Sequence, residues 1–302
     1  MISLTPAGAA LLACLWYTGT SLEGMRVQRE GRSPQLDMVH LTGHEPAAVW
    51  RTRLASSAEK IKGSADPLVH SDHAAILVRL GRLDEAIALL EDLEKRSPGN
   101  YYVAANLGTA LELKGDLEGA LQWIQEGIRR NPEAHNGTEW LHVKILEARI
   151  ALAKDPTWLE THSVLGIDFG SEPKPAMPPG FLVRGSAGFS EGERARAALE
   201  LQLHERLSFV KPPDPIVGDL LFDLSNVWAL SASVEHARLA LDLAEQYGVP
   251  RPLLARERSK AYAGTVSAGL VRTTVKYALI ALGAIAACTA VIWLIRRLAG
   301  RG

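Results

Sequence analysis

The sequence predicts an all-α chain, a short solenoid of helical hairpins followed by one C-terminal transmembrane helix. Three observations carry that expectation. Residues 67–134 read as two copies of one 34-residue unit, with Gly81 recurring as Gly115, Leu83 as Leu117, Ala86 as Ala120 and Pro98 as Pro132. Fixed-period repetition is the mark of stacked supersecondary units. Apolar residues at helical spacing continue on both sides of this pair. Finally, residues 277–295, from Tyr277 to Ile295, form a run of 19 without a charge.

The composition agrees with a folded chain. Of 302 residues 47% are hydrophobic and 22% charged, far from the low-hydropathy regime of disordered segments. A formal net charge of −1 gives no global electrostatic footprint for nucleic acid. The two cysteines, Cys14 and Cys288, lie in apolar runs at opposite ends, so no disulfide framework or metal site follows from them.

Residues 1–16 contain a brief apolar stretch from Ala7 to Trp16 that is too short to span a bilayer and looks like the core of a secretory signal. No Lys or Arg precedes it. Cleavage after residue 13, acylation of Cys14 and an ordinary buried segment all remain open. Residues 17–66 form an N-terminal extension, polar and irregular up to residue 45. The stretch EPAAVWRTRLASSAEKIK follows, at residues 45–62, with Ala48, Trp50, Leu54, Ala58 and Ile61 at helical spacing and Gly63 at its end. A solenoid needs its first repeat covered, and this helix is a natural cap.

Each unit of the repeat then pairs two helices. In the first, a helix near residues 68–80 meets a second near 83–95 across Gly81. Asp84 and Glu85 lie in the first turn of that second helix, where negative charge suits the helix dipole. The second unit pairs residues 101–114 with 117–130 and closes at Pro132. Ala86 and Ala120 fall where the helices of a hairpin cross. Gly108, like Ala74 in the first copy, keeps a second crossing small. This order of glycine, leucine, alanine and proline, together with Leu107, Gly108, Ala120 and Ile124, resembles the tetratricopeptide repeat (TPR). The resemblance implies a TPR-type right-handed solenoid with a concave groove lined by first helices. It places groove positions at Tyr102, Asn106 and Thr109 in the second copy, and at Leu68, Asp72 and Ala75 in the first. The paired Lys and Asn with which some members clamp a peptide carboxylate are missing.

Residues 135–164 read as a degenerate third repeat. Residues 165–190 have several Pro and Gly and form a loop of a length that is usually functional or a linker; Leu165, Phe169, Phe181 and Leu182 offer it apolar anchors. Residues 191–251 return to helix and include a fourth TPR-like unit with Ala237, Leu241 and Pro250. Residues 252–276 are a basic juxtamembrane helix. At 1.5 Å per residue the 277–295 run gives about 28 Å of helix, close to a bilayer core of roughly 30 Å. Gly283 and Ala287 have the small-xxx-small spacing that permits self-association. Residues 296–302 form a basic tail.

The pairs His40/His44 and His70/His73 lack further ligands in sequence and predict no metal. No nucleophile elbow, phosphate-binding loop or dinucleotide fingerprint is present. An enzyme would have to begin at Asp168, in GIDFG. The reading is therefore a membrane-anchored adaptor for a protein or peptide partner, without catalysis, cofactor or metal. Its groove residues would be Tyr102, Asn106, Thr109 and Asp72. The alternatives are an envelope assembly factor that self-associates and an enzyme using the 165–190 loop. Basic residues flank the span on both sides and slightly favour a cytoplasmic solenoid, whereas the signal-like run favours export. CLW followed by TSLEG resembles the start of exported bacterial repeat proteins of unknown role, which tips the expectation to the extracytoplasmic side.

Overall fold

The computed structural model describes residues 16–30, 33–184 and 188–299. Its first feature departs from the sequence expectation. An antiparallel hairpin of β1 (Trp16–Thr20) and β2 (Arg26–Glu30) pairs Trp16 with Glu30 and Thr20 with Arg26, followed by α1 (Pro34–Thr42). The region up to residue 45 is thus not irregular, and the chain is not wholly helical. The hairpin is held by a partner distant in sequence. Thr20 donates from its backbone N–H and its hydroxyl to the Glu235 carboxylate at 2.9 and 2.7 Å. A Cβ on Gly19 would lie 2.6 Å from the Ser233 Cβ, so that close approach requires glycine. The signal-like residues before Trp16 lie outside the described residues.

The repeats follow from local rules. After α2 (Ala47–Lys62) come α3 (Pro67–Arg79), α4 (Leu83–Arg96), α5 (Tyr101–Lys114) and α6 (Leu117–Arg130). Asp66, Asn100 and Asp116 cap α3, α5 and α6, each carboxylate or amide oxygen accepting a first-turn N–H at 2.8–3.0 Å, the contact that satisfies an orphan donor. Gly81 and Gly115 both sit at positive φ, +73° and +96°, where side chains are strained. Their recurrence in the sequence has that cause. Ala86 and Ala120 are fully buried at the helix crossings. At the neighbouring crossing a Cβ on Gly108 would meet Ile124 side-chain carbons at 2.7 and 2.8 Å and its backbone nitrogen at 3.1 Å.

A left-handed turn at His135 and Asn136 leads into α7 (Trp140–Lys154) and the short α8 (Trp158–Thr161). Beyond the loop, α9 (Glu191–Phe209) begins with a capping box between Ser190 and Glu193, which satisfies two donors reciprocally. Then come α10 (Pro215–Ser231), α11 (Val234–Tyr247) and α12 (Pro252–Ala299). Every residue of α10 from Ile216 to Ala229 is buried. A helix apolar nearly all round belongs in the middle of a core, so α10 is a central rod and not a repeat helix with one wet face. It is packed by α9, α11 and α7. Leu165, Phe169 and Phe181 of the long loop bury in the same core, while the fourth expected anchor, Leu182, stays 52% exposed. The 165–190 segment is accordingly fastened to the helices from Leu165 as far as Phe181.

Among the described residues no helix is long and apolar enough to cross a membrane. The backbone of α12 runs helical through the 277–295 run, but most of that run's side chains lie outside the described residues.

Candidate functional site

The concave side of the repeats is not an open channel. Helix α9 lies across it. Arg79 of α3 pairs with Glu205 and donates to the Ser208 hydroxyl at 2.8 Å, and its guanidinium stands 4.8 Å from the Phe209 ring. On the next repeat helix, Glu112 of α5 accepts from Arg206 at 3.2 Å. Leu199, Leu203 and Leu207, on another face of α9, are buried in the main core, so α9 is a fixed wall. The groove left between α3, α5 and α9 is a cavity of about 250 Å3, lined by Ala75, Arg79, Ala105, Asn106, Thr109 and Glu112 among others.

Of the four groove residues read from sequence, Asn106 and Thr109 line this cavity and Tyr102 and Asp72 do not. Asn106 donates its amide to the Ser71 hydroxyl at 3.0 Å, tying α5 to α3. Thr109 donates to the Ala105 carbonyl at 3.0 Å. Tyr102 is 57% exposed beside the edge-on ring of Tyr101, and Asp72 is exposed. Of the other two first-repeat positions, Ala75 lines the cavity and Leu68 is 41% exposed.

Sequence reasoning passed over the charged floor of the cavity. Glu112 receives His142 at 2.7 Å, Arg206 at 3.2 Å and Arg149 at 3.4 Å. His142 reaches Glu139 at 3.5 Å, and Glu139 pairs with His135. Arg149 continues to Asp214, in front of α10, at 3.1 Å. Charges alternate along the row, which is what makes their burial tolerable. Burial alone would raise the Glu112 carboxyl. Arg206, His142 and Arg149 outweigh it and hold the group well below the usual carboxylate range. Glu139 likewise overcomes burial through His135 and His142 and lies down at about 2. Burial and Arg206 would lower His142, but Glu112 and Glu139 prevail and raise it. The hydrogen bond from Glu139 raises His135. The one sequence signal was an acid and a histidine on otherwise apolar helix faces.

The histidine pairs have structural partners. His73 meets the Ser57 hydroxyl at 2.7 Å and His70 the Ser64 carbonyl at 2.8 Å. His40 and His44 pack against His204 with ring centroids 5.6 and 5.0 Å away. Among the described residues no group of His, Cys, Asp or Glu could hold a metal ion.

Two stacked hairpins with glycine at positive φ in both turns and alanine at both crossings are repeats of one unit, and a family comparison names it. The model of the tetratricopeptide repeat matches residues 72–135. This segment is a tetratricopeptide repeat pair. No curated protein matches the chain. TPR units serve as protein-interaction modules. The cavity described above sits on the face where their first helices stand, and α9 and the start of α7 supply its opposite wall.

Proposed function

We propose that this protein is an adaptor that holds a protein or peptide partner at the TPR cavity and is anchored in a membrane through residues 277–295, with the repeats on the extracytoplasmic side. The observation that carries the reading is the meeting of Asn106 and Thr109 with Arg79 and Glu112 around one opening on the concave face. Its volume of about 250 Å3 is below the roughly 300–1,000 Å3 of drug-sized ligand sites. It suits one or two side chains of a partner, not a whole strand laid along the groove. Exposed Tyr102 offers an aromatic contact outside the opening, the residue type that dominates many binding surfaces. Anchoring is supported by the length and apolarity of residues 277–295 and by the basic residues Arg296 and Arg297 after them.

The test is to plug the opening. Ala105 lines the cavity and is only partly buried. Ala105→Trp fills the space that a partner side chain would take. The expected result is loss of partners recovered by proximity labelling from the membrane-bound protein, at unchanged helicity and unchanged thermal midpoint. An identical set of labelled partners in the variant would refute the assignment.

A further inference from the structure

The segment where the repeat pattern breaks makes a second site, which shares no lining residue with the groove. Residues Ile167, Asp168, Phe169 and Gly170 of the loop, with Phe222, Asp223 and Asn226 of α10, Arg251 just before α12, and Leu254 and Arg258 in its first turns, line a cavity of about 340 Å3. We propose that this cavity binds a small organic carboxylate with a compact apolar body.

Its polar groups are arranged for an anion. Arg258 is 1% exposed, yet all its hydrogen bonds go to neutral acceptors: Asn226 Oδ1 and the carbonyls of Phe169, Gly170 and Glu172. Arg251 pairs with Asp219, whose other oxygen accepts the Val164 N–H at 2.8 Å. That leaves three polar atoms without a hydrogen-bond partner at this cavity: Asn226 Nδ2, Arg251 Nε and Asp223 Oδ2. Asn226 and Asp223 are each 1% exposed. Two of the three are donors. A buried donor left unmade costs about 1–3 kcal/mol, so the site is built for something that accepts.

The third atom belongs to Asp223, which faces Asp219 on its own helix, Arg251 just before α12, Arg258 in its first turns, and the Leu165 N–H of the loop. Asp168 and His162 stand farther out in the lining. Burial and Asp219 push the Asp223 carboxyl up strongly against the two arginines, which favours its protonated, donating form. Leu254 brings the first turn of α12 into the lining, and the positive end of a helix favours an anion. Phe169, Phe222, Leu254 and Ile167 supply the apolar walls.

The experiment is calorimetric titration of the full-length chain in mild detergent with three ligands of one shape: benzoate, benzamide and benzylamine. Benzoate is expected to bind at least tenfold more tightly than the other two, and more tightly as pH falls, because protonation of Asp223 adds a donor. Asp223→Asn preserves a donor, so it should keep benzoate binding and lose the pH dependence. Asn226→Leu should weaken benzoate at least tenfold. Gly-Gly-Phe with a free or an amidated C-terminus separates the sources: binding of the free form alone, as tight as benzoate, assigns the carboxylate to a chain end, and weaker binding assigns it to a free acid. Preference for benzylamine, benzoate binding that tightens as pH rises, or no saturable heat with benzoate in both wild type and Asp223→Asn would overturn the proposal.

Discussion

Replacing Glu112 by Gln tests how the repeats are joined to the rest of the molecule. The carboxylate sits under three cations, His142, Arg206 and Arg149, at 2.7–3.4 Å, and only about a tenth of its side chain is exposed. The amide keeps the volume and removes the charge. Arg206, about 7% exposed at the side chain, then loses the carboxylate it hydrogen-bonds and is left with neutral amide oxygens such as that of Gln202. Breaking one partner out of a buried ion pair typically costs 3–5 kcal/mol. Two features pull the value to the lower end: His142 can shed its proton, and Gln can still accept a hydrogen bond. The expected loss is therefore about 3 kcal/mol, read by urea unfolding as a shift in midpoint at constant slope. Arg206→Met alone should also destabilise. The double variant should be more stable than the sum of the two losses predicts, by about 1 kcal/mol or more, the coupling expected of touching partners. Additive losses, or a Glu112→Gln midpoint within error of wild type, would refute the view that this carboxylate fastens α9 across the groove.

Three further outcomes follow from the same geometry. Gly108→Ala gains about 0.5–1 kcal/mol of helix propensity, yet its methyl must displace Ile124, whose backbone nitrogen stands 3.1 Å away; overpacking costs roughly 1–3 kcal/mol, so thermal unfolding should show net destabilisation, and a raised midpoint would contradict the crossing. His142 is raised in the folded state, so its contribution to stability is complete below its unfolded value near 6.5 and is lost as pH rises through the folded value; His142→Gln should flatten that alkaline decline in urea unfolding, and an unchanged decline would assign it to other groups. Removal of residues 277–302 should move the protein from the membrane pellet to the supernatant on fractionation, and a truncated chain still in the pellet would contradict anchoring by that run.

The repeat pair was legible in sequence because its key positions are set by local geometry. Gly81 and Gly115 recur since both turns need positive φ, and Ala86 and Ala120 recur since both crossings are tight. What long-range contacts decide was not legible. The β1–β2 hairpin consists of two five-residue strands and is held by Glu235, more than 200 residues away. Helix α10 fits a repeat template by spacing, but its apolar residues on every side make it the centre of a second core. In the groove, Asn106 and Thr109 were reachable from the repeat pattern, because first helices line its concave face. Glu112 stands near the C-terminal end of α5 with no repeat-pattern position to mark it. Its meaning depends on Arg206, 94 residues later, which no local pattern announces. The enclosure of Asp168 with Asp223, Asn226 and Arg258 likewise depends on where the loop lands.

The most direct test of the central claim is site-specific photo-crosslinking in the native membrane. A photoreactive residue replaces Thr109, in the cavity lining, or Glu91, an exposed position on α4. The account predicts a discrete cross-linked adduct from position 109 that is absent from position 91 and disappears when Ala105→Trp is added. Equal adducts from both positions, or an adduct at 109 that survives the plug, would contradict it.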